Sequence, residues 1–153
     1  MIAEGTPTSV EAENLQSQIA TSEVNNPFVF FAEGNHTVDG QVMAMVTQTR
    51  ALSQGQFGQY PLLVFTTDGI WSMSVSSTGM YETVVPMSRE VCNNASSIVQ
   101  TDGAVYFGSA KGLMVIVGSE VRCVSEQLCG RADGENIGGL SFSAYLKGAV
   151  VAY

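Results

Sequence analysis

The stretch Pro61-Leu62-Leu63-Val64-Phe65-Thr66-Thr67-Asp68-Gly69-Ile70-Trp71 packs an apolar run, a tight turn and a returning strand into very little chain. Leu62 to Phe65 is rich in β-formers. The Asp68-Gly69 pair tolerates positive φ, and Ile70 to Val75 alternates apolar and polar residues, as a half-buried strand does. The chain then repeats the pattern. Ala104-Val105-Tyr106-Phe107 is a second apolar run, Gly108 to Gly112 a second turn, and Leu113 to Val117 a second return.

Each hairpin has an outer strand on both sides. Gln41 to Val46 precedes the first and Tyr81 to Val85 follows it; Ser97 to Gln100 precedes the second and Glu120 to Val124 follows it. Phe65 aligns with Phe107 on this reading, and the turn glycines Gly69 and Gly112 lie 43 positions apart. That period falls within the roughly 40 to 50 residues of a four-stranded propeller blade. Phe65, Asp68, Gly69, Trp71, Phe107 and Gly112 therefore form a structural repeat motif. The expected fold is all-β, a partial β-propeller of about two complete four-stranded antiparallel blades, roughly residues 39–87 and 96–125. A β-sandwich built from similar hairpins is the alternative.

The flanks are less regular. Residues 1–26 form a polar N-terminal arm, in which Thr8 and Glu11 could cap a short helix carrying Leu15 and Ile19 on one face. A docked short helix and a loose arm both fit. Residues 27–153 make up the β-meander repeat domain, with partial units at 27–38 and 139–153. In the latter, Gly139 to Tyr145 and Gly148 to Tyr153 both look like strands. Two blades and fragments cannot close a ring that takes roughly 4 to 8 blades. Open edges of this kind invite strand addition by another subunit.

Composition removes several functions. The formal charge is −8, and the six basic residues Arg50, Arg89, Lys111, Arg122, Arg131 and Lys147 are scattered. No patch can neutralise phosphates, so tight nucleic-acid binding is not expected. No apolar run approaches the roughly 20 residues of a membrane helix, and no basic n-region or apolar h-region stands near Met1. A soluble protein with no membrane partner is the expectation. Three cysteines, Cys92, Cys123 and Cys129, cannot all pair within one chain and suit a reducing compartment.

A longer stretch carries a family likeness. Gln54-Gly55-Gln56-Phe57-Gly58, the hairpin Phe65 to Trp71, Ser88-Arg89-Glu90-Val91-Cys92-Asn93, and Asp102 to Val105 through Lys111-Gly112 match a recurring pattern. On these pieces, residues 51 to 116 resemble a propeller-like structural protein of tailed bacteriophages and prophages, particularly those of gut Bacteroidales. The likeness extends over most of residues 27 to 153. It implies a virion component of the tail or head-to-tail junction, assembled in the bacterial cytoplasm, whose partners are copies of the same chain or other virion proteins. Members of that family look longer than this chain, which implies a partial chain here.

The search for chemistry yields no catalytic, cofactor-binding or metal-binding residue. His36, the sole histidine, sits in a loop-like Gly34-Asn35-His36-Thr37, with no thiol or carboxylate placed beside it by sequence. The cysteines lack the close spacing of a zinc knuckle and suit small buried thiols. Asp68 and Asp102 each precede a glycine, where a short acceptor supports a bend. Gly103 to Ser109 lacks the lysine of a phosphate loop, and Asp133 to Asn136 offers too few oxygens for calcium. Trp71, with Tyr60, Tyr81 and Phe57, suits packing between sheets. A glycan- or peptide-binding platform built on Trp71, Tyr60 and Tyr81 is the alternative, so two functions stand: a non-catalytic assembly protein, or a recognition module.

Overall fold

The computed structural model describes residues 15–49, 60–77, 80–126 and 140–152. Within them the chain is all-β and antiparallel, with one short helix. The first sheet holds β3 (Val42–Thr47), β4 (Leu62–Thr66), β5 (Gly69–Val75) and β6 (Tyr81–Ser88) in meander order. A second meander holds β7 (Val99–Gln100), β8 (Val105–Ser109), β9 (Gly112–Val117) and β10 (Glu120–Cys123). A two-stranded sheet of β1 (Gln18–Glu23) and β2 (Asn26–Thr37) precedes them, and helix α1 (Phe142–Lys147) follows.

The two central hairpins share one register. Leu62 pairs with Met73 and Thr66 with Gly69 in the first; Val105 pairs with Ile116 and Ser109 with Gly112 in the second. Every one of these positions is displaced by 43 residues. Even the turn chemistry repeats: the Asp68 amide donates to Thr66 Oγ1 at 3.2 Å, and the Lys111 amide donates to Ser109 Oγ at 3.0 Å. A short hydroxyl at the end of the incoming strand closes each turn locally.

That register corrects one expectation. Phe65 and Phe107 differ by 42 positions, one short of the repeat, so the true counterpart of Phe107 is Val64 and that of Phe65 is Gly108. A slip of one residue turns a side chain to the opposite face of a strand. Phe65 and Phe107 consequently project from non-equivalent faces of their sheets and meet each other. Both are fully buried, and their rings cross edge to face with centroids 5.3 Å apart.

The core follows from this arrangement. Leu63, Phe65 and Ile70 of the first sheet bury against Val105, Phe107, Met114 and Ile116 of the second, with Cys92 beside them. The 43-residue counterparts of the latter four are Leu62, Val64, Trp71 and Met73. Those four belong to the other apolar cluster, where the first sheet packs against Ile19 and Val38 of the N-terminal segment. Each four-stranded sheet thus offers one kind of face to the layer before it, and the first sheet offers the other kind to the layer after.

Helix α1 packs against the face of the second sheet that carries Gly108. Gly108, where Phe65 would stand in the first sheet, has its missing side-chain position 3.5 Å from the Leu146 Cβ. Leu146 is the buried residue of the helix. The helix starts at Ser141, whose Oγ accepts from the Ala144 amide. Asn94 Nδ2 donates to the carbonyls of Lys147 and Ala149 at its far end. Residues expected to be strand at 139–145 are therefore largely helical: a serine cap, a following basic Lys147 and a terminal Gly148 outweigh the alternating pattern of Ser141 to Tyr145. Residues 148–152 carry no regular structure, and Gly139 and Tyr153 lie outside the described residues.

Two further expectations change. Residues 18–23 are strand rather than a helical arm, and Ile19 is buried under the first sheet; Thr8 and Glu11 lie outside the described residues. Tertiary burial decides the matter, because a short isolated helix has little stability of its own. The turn of the β1–β2 hairpin uses Asn25 at φ 65°, a conformation asparagine tolerates. In the second sheet, the leading strand is shorter than expected, since Ala95–Ser97 forms a 3-10 turn. Cys92 still bridges to Ser109, so the strand is interrupted rather than absent.

Ser97 holds this interruption in place. Fully buried, its Oγ accepts the Gly108 amide at 2.9 Å and donates to the Asn94 carbonyl at 2.6 Å. Ser97→Ala leaves the Gly108 amide without that partner and is expected to destabilise the fold by about 1–2 kcal/mol. Urea denaturation checks this, and an unchanged midpoint would show that the amide finds another acceptor.

Candidate functional site

Three segments converge at the turn end of the first sheet. Gly40 brings the β2–β3 connection against the β4–β5 turn: at φ 76°, its missing side-chain position is 2.7 Å from Thr67 Oγ1 and 3.0 Å from the Asp68 amide. Two hydrogen bonds fix the approach, from the Thr67 amide to the Gln41 carbonyl and from the Gln41 amide to Thr67 Oγ1, both 3.0 Å. Gly69 then draws β5 onto β6. At φ 150°, an added Cβ would lie 2.4 Å from the Ser88 carbonyl oxygen.

The third segment is the end of β6. Ile70 pairs with Ser88 and Trp71 with Pro86, so Met87 is the extra residue of a β-bulge. Bulges bend a strand and re-aim its side chains. Ser88 Oγ accepts the Glu90 amide at 3.1 Å and turns the chain away after Arg89.

Together these segments enclose an open groove of about 740 Å³ lined by Asp39, Gly40, Asp68, Trp71, Pro86, Met87, Ser88 and Arg89. Asp39, Asp68 and Arg89 are exposed, whereas Trp71 is half-buried and packs against the cluster of Val64 and Met73. The groove therefore has one large aromatic surface, an apolar wall, and a rim of two carboxylates and one guanidinium. Arg89 makes no ion pair among the described residues; the pair seen there joins Lys111 to Glu90. The charge order is inverted between repeats, since Lys111 occupies the turn position of Asp68.

Trp71 and Met114 are counterparts in the 43-residue register, yet Met114 is 3% exposed beneath the first sheet. Among the described residues, the layer on the Trp71 face is the two-stranded β1–β2 hairpin. This difference opens the groove.

Of the expected aromatic platform, the structure brings only Trp71 to the groove. Tyr81 pairs with Val75 at the other end of β5 and packs in the cluster with Ile19, and Tyr60 stands exposed before β4. Phe57 lies outside the described residues. Of the two Asp-Gly turns, Asp68 lines the groove, while Asp102 lies in the β7–β8 turn. The residues missed in the sequence are Asp39, Gly40 and the run Pro86 to Arg89. Pro86 within an apparent strand was the available signal, because proline in a sheet marks an edge or a bulge.

No protein-family model and no curated protein matches this chain. Among the described residues, His36 and Cys92 take part in holding the fold. His36 Nε2 lies 3.2 Å from the Tyr81 carbonyl; a carbonyl only accepts, so this nitrogen carries the proton and ties β2 to β6. Cys92 is buried and its thiol donates to the Asn94 carbonyl at 3.1 Å. Cys123 is a second free thiol, and Cys129 lies outside the described residues. Among the described residues no group of three or more His, Cys, Asp or Glu side chains could hold a metal ion, and no helix is long and apolar enough to cross a membrane.

Proposed function

We propose that the chain is a non-catalytic structural protein of a phage or prophage particle, built as two blades of a β-propeller and acting through protein–protein contacts. The blade assignment is supported by the constant 43-residue register together with the order of the faces. Successive propeller blades are related by a rotation that carries one sheet onto the next, so unlike faces must meet. A sandwich of two equivalent hairpins facing each other would bring like faces together. The phage attribution is supported by the sequence likeness of residues 51 to 116.

The observation that carries the assembly role is the β1–β2 hairpin. Phe28 is 90% exposed, Phe30 58% and Phe31 52%, with Val24 also exposed at the turn. Phe28 and Phe30 stand two residues apart and share one face of the strand, and an exposed apolar pair of this kind is what an interaction site presents. Copies of the same chain are the proposed partners. Sedimentation of the wild type across a concentration series is expected to show oligomers, and Phe28→Ser with Phe30→Ser to shift them to monomer while leaving the far-UV circular dichroism spectrum unchanged. A wild type that stays monomeric at every concentration removes self-assembly.

A second function is favoured by one feature, the Trp71 groove, which suits a glycan- or peptide-binding module. The two are compatible, since the hairpin phenylalanines do not line the groove.

A further inference from the structure

We propose that the Trp71 groove binds a neutral oligosaccharide, with one pyranose ring lying on the indole. The inference rests on the recognition role just described and names its ligand class.

Three properties of the groove select that class. The first is its floor: an indole beside Pro86 offers a flat apolar surface to the C–H face of a sugar, and half-burial of Trp71 holds the ring in one orientation. The second is its rim. Asp39 and Asp68 present carboxylate acceptors and Arg89 a fork of donors, a set that matches the paired hydroxyls around a pyranose. The third is net charge. Two carboxylates against one guanidinium leave the rim negative by one, on a chain of formal charge −8. Uronic, sialic and phosphorylated sugars are thereby repelled, while neutral sugars are not.

The groove is also built in advance. Gly40 and Gly69 set two walls at backbone contact distance, and paired hydrogen bonds between Gln41 and Thr67 lock the first wall to the turn. A ligand that enters needs little ordering of the protein, which is what allows a shallow site to bind at all. The volume of about 740 Å³ lies within the range of ordinary small-molecule sites.

Trp71 is the only tryptophan of the chain, so its fluorescence reports on this site alone. The full chain is titrated with maltohexaose, cellohexaose, xylohexaose and chitohexaose, and with a hyaluronan hexasaccharide and hexalysine as contrasts. At least one neutral sugar is expected to change the emission saturably. Asp68→Asn, an exposed turn substitution that keeps the fluorophore, is expected to weaken that binding several-fold. Trp71→Ala, followed by calorimetry, is expected to weaken it by roughly tenfold or more. Melting temperatures of both variants separate lost binding from lost folding. Silence with all four neutral sugars, or stronger binding of hyaluronan, overturns the assignment. Binding of hexalysine without any sugar also overturns the ligand class, while leaving the groove a recognition site.

Discussion

Replacing Phe107 with alanine is expected to lower the free energy of unfolding by about 3–5 kcal/mol. The side chain is fully buried between the two four-stranded sheets and crosses Phe65 edge to face at 5.3 Å. Truncation removes a large apolar surface from the one place where both sheets contribute to a common core, and neither strand can move inward, because both are central in their meanders. Since a domain of this size is stable by about 5–15 kcal/mol, the variant should be near the limit of folding. Guanidinium denaturation measures the loss. A double-mutant cycle with Phe65→Ala should return a coupling of about 0.5–1.5 kcal/mol for the ring pair. A loss of less than about 1 kcal/mol for Phe107→Ala would mean that the sheets do not meet there.

Gly69→Ala, at the buried turn end of the first sheet, should cost about 2–4 kcal/mol. Two causes act together: a φ of 150°, which side chains rarely adopt, and a Cβ that would fall 2.4 Å from the Ser88 carbonyl. Because the obstacle is backbone, relief requires β5 to move from β6, at the bulge that places Trp71 and Pro86 opposite each other. Tryptophan emission should therefore shift along with stability. Gly103→Ala is the control. Nothing lies within 4 Å of its missing side chain, and a change within about 0.5 kcal/mol is expected. Equal effects for the two glycines would contradict the close approach of β5 and β6.

The central strands were legible because two local signals agreed. Leu62 to Phe65 and Val105 to Phe107 are apolar runs ending at Gly-containing turns, and the paired hairpins follow directly. Facing was harder to read. Aligning Phe65 with Phe107 matched residue type, whereas the pairing is governed by the turn, and the turns place Gly108 opposite the role of Phe65. At the ends, local pattern and packing disagree. Residues 18–23 are polar except for Ile19 and Ala20, yet that isoleucine anchors a strand; Ser141 to Tyr145 alternates, yet its cap and following Gly148 make a helix. Of the residues lining the groove, Trp71 and Asp68 were visible in the sequence. Asp39, Ser88 and Arg89 come from segments that only the fold brings near them.

Unlike faces meeting between layers give the molecule a direction. A symmetric pair uses up its own contact and stops, but a directional joint leaves a fresh acceptor surface after each addition. Copying one such segment within a gene would lengthen the protein without inventing any new chemistry at the seam. The count of segments is then set by whatever terminates the series. On the second sheet, the face that would make the next joint holds a six-residue helix, seated on a glycine where the first sheet carries phenylalanine.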